Sequence, residues 1–152
     1  MYASTLEKKI TKFVRKFGIK RAYCKGDFMY FEKGIVFFSI SRIPRHHPDY
    51  VEFINNKYEI NIVPWFFIFN LLHEVGHHMT IPQLTEEQKI YEYTMRMMKD
   101  LDQKTYLNLP AEDLANKWAI DYITNHQQEC WDFQKKCSKI MRHIYKKKSF
   151  HY

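Results

Sequence analysis

The chain has 152 residues, 45% of them apolar and 17% aromatic, which supports a hydrophobic core and excludes global disorder. No apolar run approaches the roughly 18 residues of a membrane-spanning helix, and MYASTLEKK at the start lacks the apolar segment of a signal peptide, so a cytoplasmic protein is expected. The net charge of +7 is uneven: residues 1–25 carry eight Lys/Arg and one Glu, residues 133–152 carry seven and no acid, and residues 26–132 carry nine against sixteen acids. Basic ends of this kind are either solvated helix faces and tails or contacts for nucleic acid or an acidic protein.

Residues 4–17 place Leu6, Ile10, Phe13, Val14 and Phe17 at three- and four-residue spacing, which predicts an amphipathic helix ended by Gly18. FMYFE (28–32) and IVFFSI (35–40) are rich in aromatic and β-branched residues and flank Lys33-Gly34, a two-residue hairpin turn. RIPRHHPD (42–49) reads as a loop, and the alternation of YEINIV (58–63) as a third, edge strand. Pro64 opens a helix expected to run to about residue 80, before Ile81-Pro82. Thr85 to Gln88 is a capping-box start for a second long helix, Pro110 opens a third to about Thr124, and either a fourth runs from Gln127 to Tyr145 or the third continues. The expected class is α+β: an N-terminal helix and a small three-stranded antiparallel sheet, then a helical bundle. Residues 1–152 form one domain in this reading, with 133–152 as a basic C-terminal helix or tail. Cys24, Cys130 and Cys137 are an odd set without CxxC spacing, and the last two lie seven apart on one helix face, as core residues do.

Residues 70–78 read Asn-Leu-Leu-His-Glu-Val-Gly-His-His. His73, Glu74 and His77 form HExxH, in which residues one turn apart on a helix aim both imidazoles at one ion. Glu74 lies about 100° round the helix from His73, beside such an ion and not on it. There a carboxylate can take a proton from a water that zinc has acidified, which makes Glu74 the candidate catalytic base. His78 is rotated by about 140° from His73 and reads as a neighbour of the site or an exposed residue. His46, His47, His126, His143 and His151 have no partner at ligand spacing.

Two histidines hold a catalytic zinc poorly, so a third protein ligand is needed. Glu112 in PAEDLANKWAIDYI (110–123) is the best candidate, because Asn116 one turn on shares its face and can hydrogen-bond the outer nitrogen of a ligand imidazole. Asp113 is the rival, about 100° off that face. Glu86, Glu87 and Glu92 are weaker ligand candidates, better read as a solvated face and an N-terminal cap. Tyr122 is one possible oxyanion donor among eleven tyrosines.

An apolar helix with His73, Glu74, Gly76 and His77, followed by Glu112, Ala115, Asn116 and Ala119, resembles the ImmA/IrrE family of zincin-like metallopeptidases over roughly residues 28–124. The resemblance implies a helical bundle on a small sheet and one zinc (Zn2+) per chain, held by two His and one Glu. It also implies proteolysis of a regulatory protein, often a DNA-binding repressor, with relatives in bacteria, phages and mobile elements. Two departures are the lack of a fused helix-turn-helix segment and the polar Ile-Asp-Tyr-Ile-Thr-Asn after Ala119. The expected function is zinc-dependent endopeptidase action on one or few cytoplasmic proteins; the alternative is a non-catalytic zincin-fold module that binds a regulatory protein or nucleic acid.

Overall fold

The structure, a computed structural model, describes residues 2–25, 29–38 and 48–148. Its elements are α1 (Tyr2–Arg15), β1 (Arg21–Cys24), β2 (Tyr30–Glu32), β3 (Ile35–Phe38), α2 (Pro48–Tyr58), α3 (Phe66–Thr80), α4 (Glu86–Arg96), α5 (Gln103–Leu107), α6 (Pro110–Asn125) and α7 (Gln127–Lys148). The class is α+β, as expected. Phe28, Ser39, Ile40, residues 42–47 of the expected loop, His46, His47 and His151 lie outside the described residues.

The β2–β3 hairpin forms as the sequence indicates. Lys33 and Gly34 both have positive φ, 49° and 78°, the requirement of a two-residue turn that follows strand twist. The sheet, however, is mixed and not antiparallel. Its order is β1-β3-β2, and β1 runs parallel to β3, with Arg21 opposite Ile35 and Cys24 opposite Phe38. The third strand is therefore Arg21–Cys24 and not YEINIV.

Residues 58–63 alternate for another reason. Tyr58 ends α2, Glu59 takes a left-handed φ of 53°, and the Ile60 amide donates to the Asn55 carbonyl. The Ile62 amide donates to the Asn55 side chain at 2.9 Å and the Val63 amide to the Asn61 side chain at 3.1 Å. Side-chain acceptors thus do the work of a partner strand, while Ile62 is buried and Asn61 and Val63 are exposed. Alternation reports burial on one side, and an unpaired extended segment satisfies it as well as a strand. The end of the expected 42–49 loop is also helical, since Pro48 and Asp49 begin α2, which buries Val51 and Ile54.

α3 runs through the centre, against α6, α7 and the sheet, with Ile68, Phe69, Leu71, Leu72 and Val75 fully buried. Its approach to α6 is set by Gly76. A Cβ there would stand 2.7 Å from the Ala115 carbonyl oxygen and 3.0 Å from its Cα, closer than a side chain tolerates. α1 packs Leu6, Ile10 and Val14 inward between β1 and α7, and Phe13 stacks on Phe133 at 4.1 Å.

Over residues 133–148 the basic C-terminal stretch belongs to a helix that packs on the core. α7 buries Cys130, Phe133, Cys137, Met141 and Ile144, while Lys135, Lys136, Lys139, Arg142 and Lys146 are exposed. Burial pushes the Cys130 and Cys137 thiols up to about 11 and about 12, as expected of inert core cysteines. Among the described residues, no helix is long and apolar enough to cross a membrane.

Two stability outcomes are expected. Truncation after Asp132 removes Phe133, Met141 and Ile144 from the core, each contributing about 1.5–3 kcal/mol against a net stability of about 5–15 kcal/mol. The shortened chain should lose its cooperative thermal transition in circular dichroism. Gly76→Ala should lower the melting temperature even though alanine is the better helix former by about 1 kcal/mol, because the added methyl meets the α6 backbone.

Candidate metal centre

The two histidines stand one turn apart on α3, with their Nε2 atoms 3.1 Å apart and their rings near perpendicular. Glu112 enters from the first turn of α6, where the helix dipole favours an anion. Its Oε2 lies 3.0 Å from His73 Nε2 and its Oε1 3.4 Å from His77 Nε2. The donor atoms of His73, His77 and Glu112 all fall within 4.8 Å of one another, so the group can hold a metal ion. The separations suit that use. Tetrahedral bonds of about 2.0–2.1 Å place neighbouring donors about 3.3–3.4 Å apart, within a few tenths of an ångström of the 3.1 Å between the two Nε2 atoms and the 3.0 Å between His73 Nε2 and Glu112 Oε2. Two nitrogens and a carboxylate are also a donor set that zinc accepts.

Asn116 sits where the spacing places it. His73 Nδ1 donates to Asn116 Oδ1 at 2.7 Å. An amide oxygen only accepts, so the Nδ1 proton is retained and Nε2 is the nitrogen that can present a lone pair. The chain of contacts continues: Asn116 Nδ2 donates to the Tyr58 oxygen at 3.3 Å, and Tyr58 donates to Asp113 Oδ1 at 2.8 Å. Asp113 is thus turned away from the histidines and is held by Lys57 at 3.1 Å and Lys117 at 2.8 Å. The rival carboxylate supports the network around His73 from outside.

Glu74 is half-buried on the neighbouring strip of α3 and is not one of the converging donors. Burial raises its pKa and nearby Glu112 adds to this, against His73, His77 and the backbone amide of Phe31 on the sheet-edge strand β2. Burial alone would lower the pKa of His73, but its bond to Glu112 and the charges of Glu112 and Glu74 outweigh burial and raise it. Glu112 is itself buried, which opposes ionisation, yet its bonds to His73 and His77 hold its carboxyl well below the usual range.

Sequence reasoning missed several residues around this centre. Glu92, read as a solvated face, is buried at 7% exposure, and one of its oxygens accepts the Ala111 amide at 2.6 Å. Arg96 bridges Glu92 and Glu112. Only the i,i+4 spacing of Glu92 and Arg96 hints at this. Tyr58 stood in an expected strand. Tyr50 of α2 is half-buried, and burial followed by the charges of Glu112 and Glu74 raises its pKa, which keeps the phenol protonated.

The remaining candidates lie elsewhere. His78 packs against the Phe31 ring at 5.4 Å. His126 stacks on Tyr122 and donates from Nδ1 to its carbonyl. The Tyr122 hydroxyl donates to Glu129 of α7, so it is not an oxyanion donor at this centre. His143 is exposed. Glu86 pairs with Lys89, and Glu87 is exposed in the first turn of α4.

Replacing His73, His77 or Glu112 by Ala should abolish stoichiometric retention of metal in elemental analysis, and Asn116→Ala should weaken it about 10- to 100-fold. A cation needs the bare Nε2 of His73, and because the pKa of the metal-free imidazole is raised, protons compete with the metal for it. Affinity measured by chelator competition between about pH 8 and pH 5 should therefore fall as pH falls, with proton release seen on titration. Asp113→Asn should leave the metal content near wild type.

Compared with family models, with curated proteins and with solved structures, the chain matches none.

Proposed function

We propose that the protein is a zincin-like, zinc-dependent endopeptidase of the ImmA/IrrE type that hydrolyses peptide bonds in one or few cytoplasmic regulatory proteins. One zinc per chain is held by His73, His77 and Glu112. The observation that carries this reading is the convergence of three donors from α3 and α6 with a fourth ionisable group, Glu74, beside them and outside the donor set. A purely structural metal site has no use for that carboxylate, whereas hydrolysis requires a base at that place.

A bound zinc would supply Lewis acidity and bring the pKa of water down towards about 7. The other steps belong to the chain's own side chains. Glu74, with its raised pKa, accepts a proton from the attacking water and returns it to the leaving amine. Asn116 holds His73 in one tautomer, and Asp113 with Tyr58 holds Asn116. Tyr50, kept protonated by burial and by the charges of Glu112 and Glu74, is one neutral hydroxyl for a developing oxyanion, and Tyr106, also raised by burial and Glu112, is another. The exposed lysines of α1 and α7 give an anionic partner, whether a substrate protein or its DNA, a positive surface to approach.

Glu74→Gln separates an enzyme from a binding module. It keeps the size of the side chain and the metal ligands but removes the base. Zinc content and melting temperature should stay near wild type, while cleavage of a captured substrate falls about 100- to 10,000-fold. The variant should retain substrate and allow its recovery from cell extract. If Glu74→Gln preserves the protein's full effect in cells, proteolysis is not its function and the non-catalytic module becomes the better reading.

A further inference from the structure

Arg96, the last residue of α4, lies between two carboxylates. Its Nε donates to Glu92 Oε2 at 3.0 Å, and its Nη2 donates to Glu112 Oε1 at 2.9 Å. Nη1 lies 3.5 Å from the Tyr106 hydroxyl. Glu92 cannot swing away, because its other oxygen accepts the Ala111 amide at 2.6 Å. That amide belongs to the turn that carries Glu112, at a helix start without a side-chain cap from Leu109. α6 therefore fixes Glu92, Glu92 fixes Arg96, and Arg96 reaches back to the Glu112 carboxylate.

The two oxygens of Glu112 are made unequal by this loop. Oε1 accepts from a guanidinium; Oε2 faces His73 Nε2 at 3.0 Å. The His77 contact to Oε1, at 3.4 Å, is longer than the Arg96 bond. A carboxylate can bind a cation through one oxygen or through both, and binding through both needs lone pairs of each oxygen turned to the ion. A charge-assisted bond on Oε1 competes for them.

We infer that Arg96 is a positioning residue that makes Glu112 a one-oxygen metal ligand, so that the second oxygen does not occupy the coordination position left for water or substrate. The inference rests on the metal-binding reading above. It assigns Glu92 and the end of α4 to the centre, although neither touches the histidines in the sequence pattern. Catalytic zinc sites need that open position, whereas a two-oxygen glutamate would help to close it.

Cobalt(II) in place of zinc tests this without an activity assay, because its visible bands are most intense in four-coordinate complexes and weaken as a further donor is added. The cobalt-loaded full chain should show strong bands. Arg96→Met, which keeps length but donates nothing, should lose much of that intensity. Arg96→Lys, which retains a cationic donor, should keep it. Glu92→Gln keeps an oxygen for the Ala111 amide but weakens the hold on Arg96, and should shift the spectrum in the same direction as Arg96→Met. A folded Arg96→Met with the wild-type spectrum overturns the proposal. If Arg96→Met does not fold, wild-type bands in Glu92→Gln overturn it instead. Wild-type protein that binds neither cobalt nor zinc defeats the metal reading itself, whereas loaded wild type with indifferent variants defeats only the role of Arg96.

Discussion

The backbone contact between Gly76 of α3 and Ala115 of α6 is the constraint from which the centre follows. Glycine inside a helix costs about 1 kcal/mol relative to alanine, so its place in the middle of α3 needs a compensating contact. That contact is an approach so close that a single methyl would sit 2.7 Å from a carbonyl oxygen. Ala115 and Ala119 keep the facing side of α6 equally thin, and both are fully buried. With the axes drawn together, His73 and His77 on one helix and Glu112 and Asn116 on the other come within hydrogen-bond reach. Side chains on helices at ordinary separation would need long, flexible reaches to do the same, at a larger cost in conformational entropy.

The same two helices share a second peculiarity: neither supplies its own N-terminal cap. At the start of α3 the Ile68 amide donates to Gln134 of α7 at 3.0 Å, while Gln134 also donates to the Pro64 carbonyl at 2.7 Å. At the start of α6 the Ala111 amide donates to Glu92 of α4. Gln134 and Glu92 are two of the few buried polar residues, and each satisfies backbone groups that would otherwise be buried without partners. Docking of α4 and α7 is thereby tied to the very ends of the helices that carry the donors.

What was legible in the sequence followed from short-range rules. Thr85 and Gln88 exchange the side-chain bonds of a capping box, Lys33-Gly34 turns the hairpin, and the four-residue spacing of His73 and His77 places both rings on one face. The choice of Glu112 over Asp113 rested on a shared face with Asn116, and it is Glu112 whose carboxylate meets His73 and His77. The failures were of two kinds. Four-residue β1 is flanked by Lys20 and Lys25 and pairs in parallel with a strand eleven residues on, so no local periodicity marks it. In α2 the pair Asn55-Asn56 weakens helix propensity, and the alternation after Tyr58 imitates a strand. The roles of Glu92, Arg96 and Tyr58 are tertiary: each is defined by a partner on another element, and single-chain spacing carries no record of it.

The borrowed caps also set an order of events during synthesis. The chain emerges from its N-terminus at about 5–20 residues per second, so the HExxH helix is complete before its partners exist. The His73–Asn116 bond spans 43 residues and the Gln134–Ile68 bond spans 66. A nascent chain that has reached His77 therefore owns a pair of imidazoles with no third donor, a bare glycine face and an uncapped helix start. The third donor exists only once Glu112 has been made, and the start of α3 has no Gln134 to bond until α7 follows, so the shorter nascent chains lack part of what frames the two histidines.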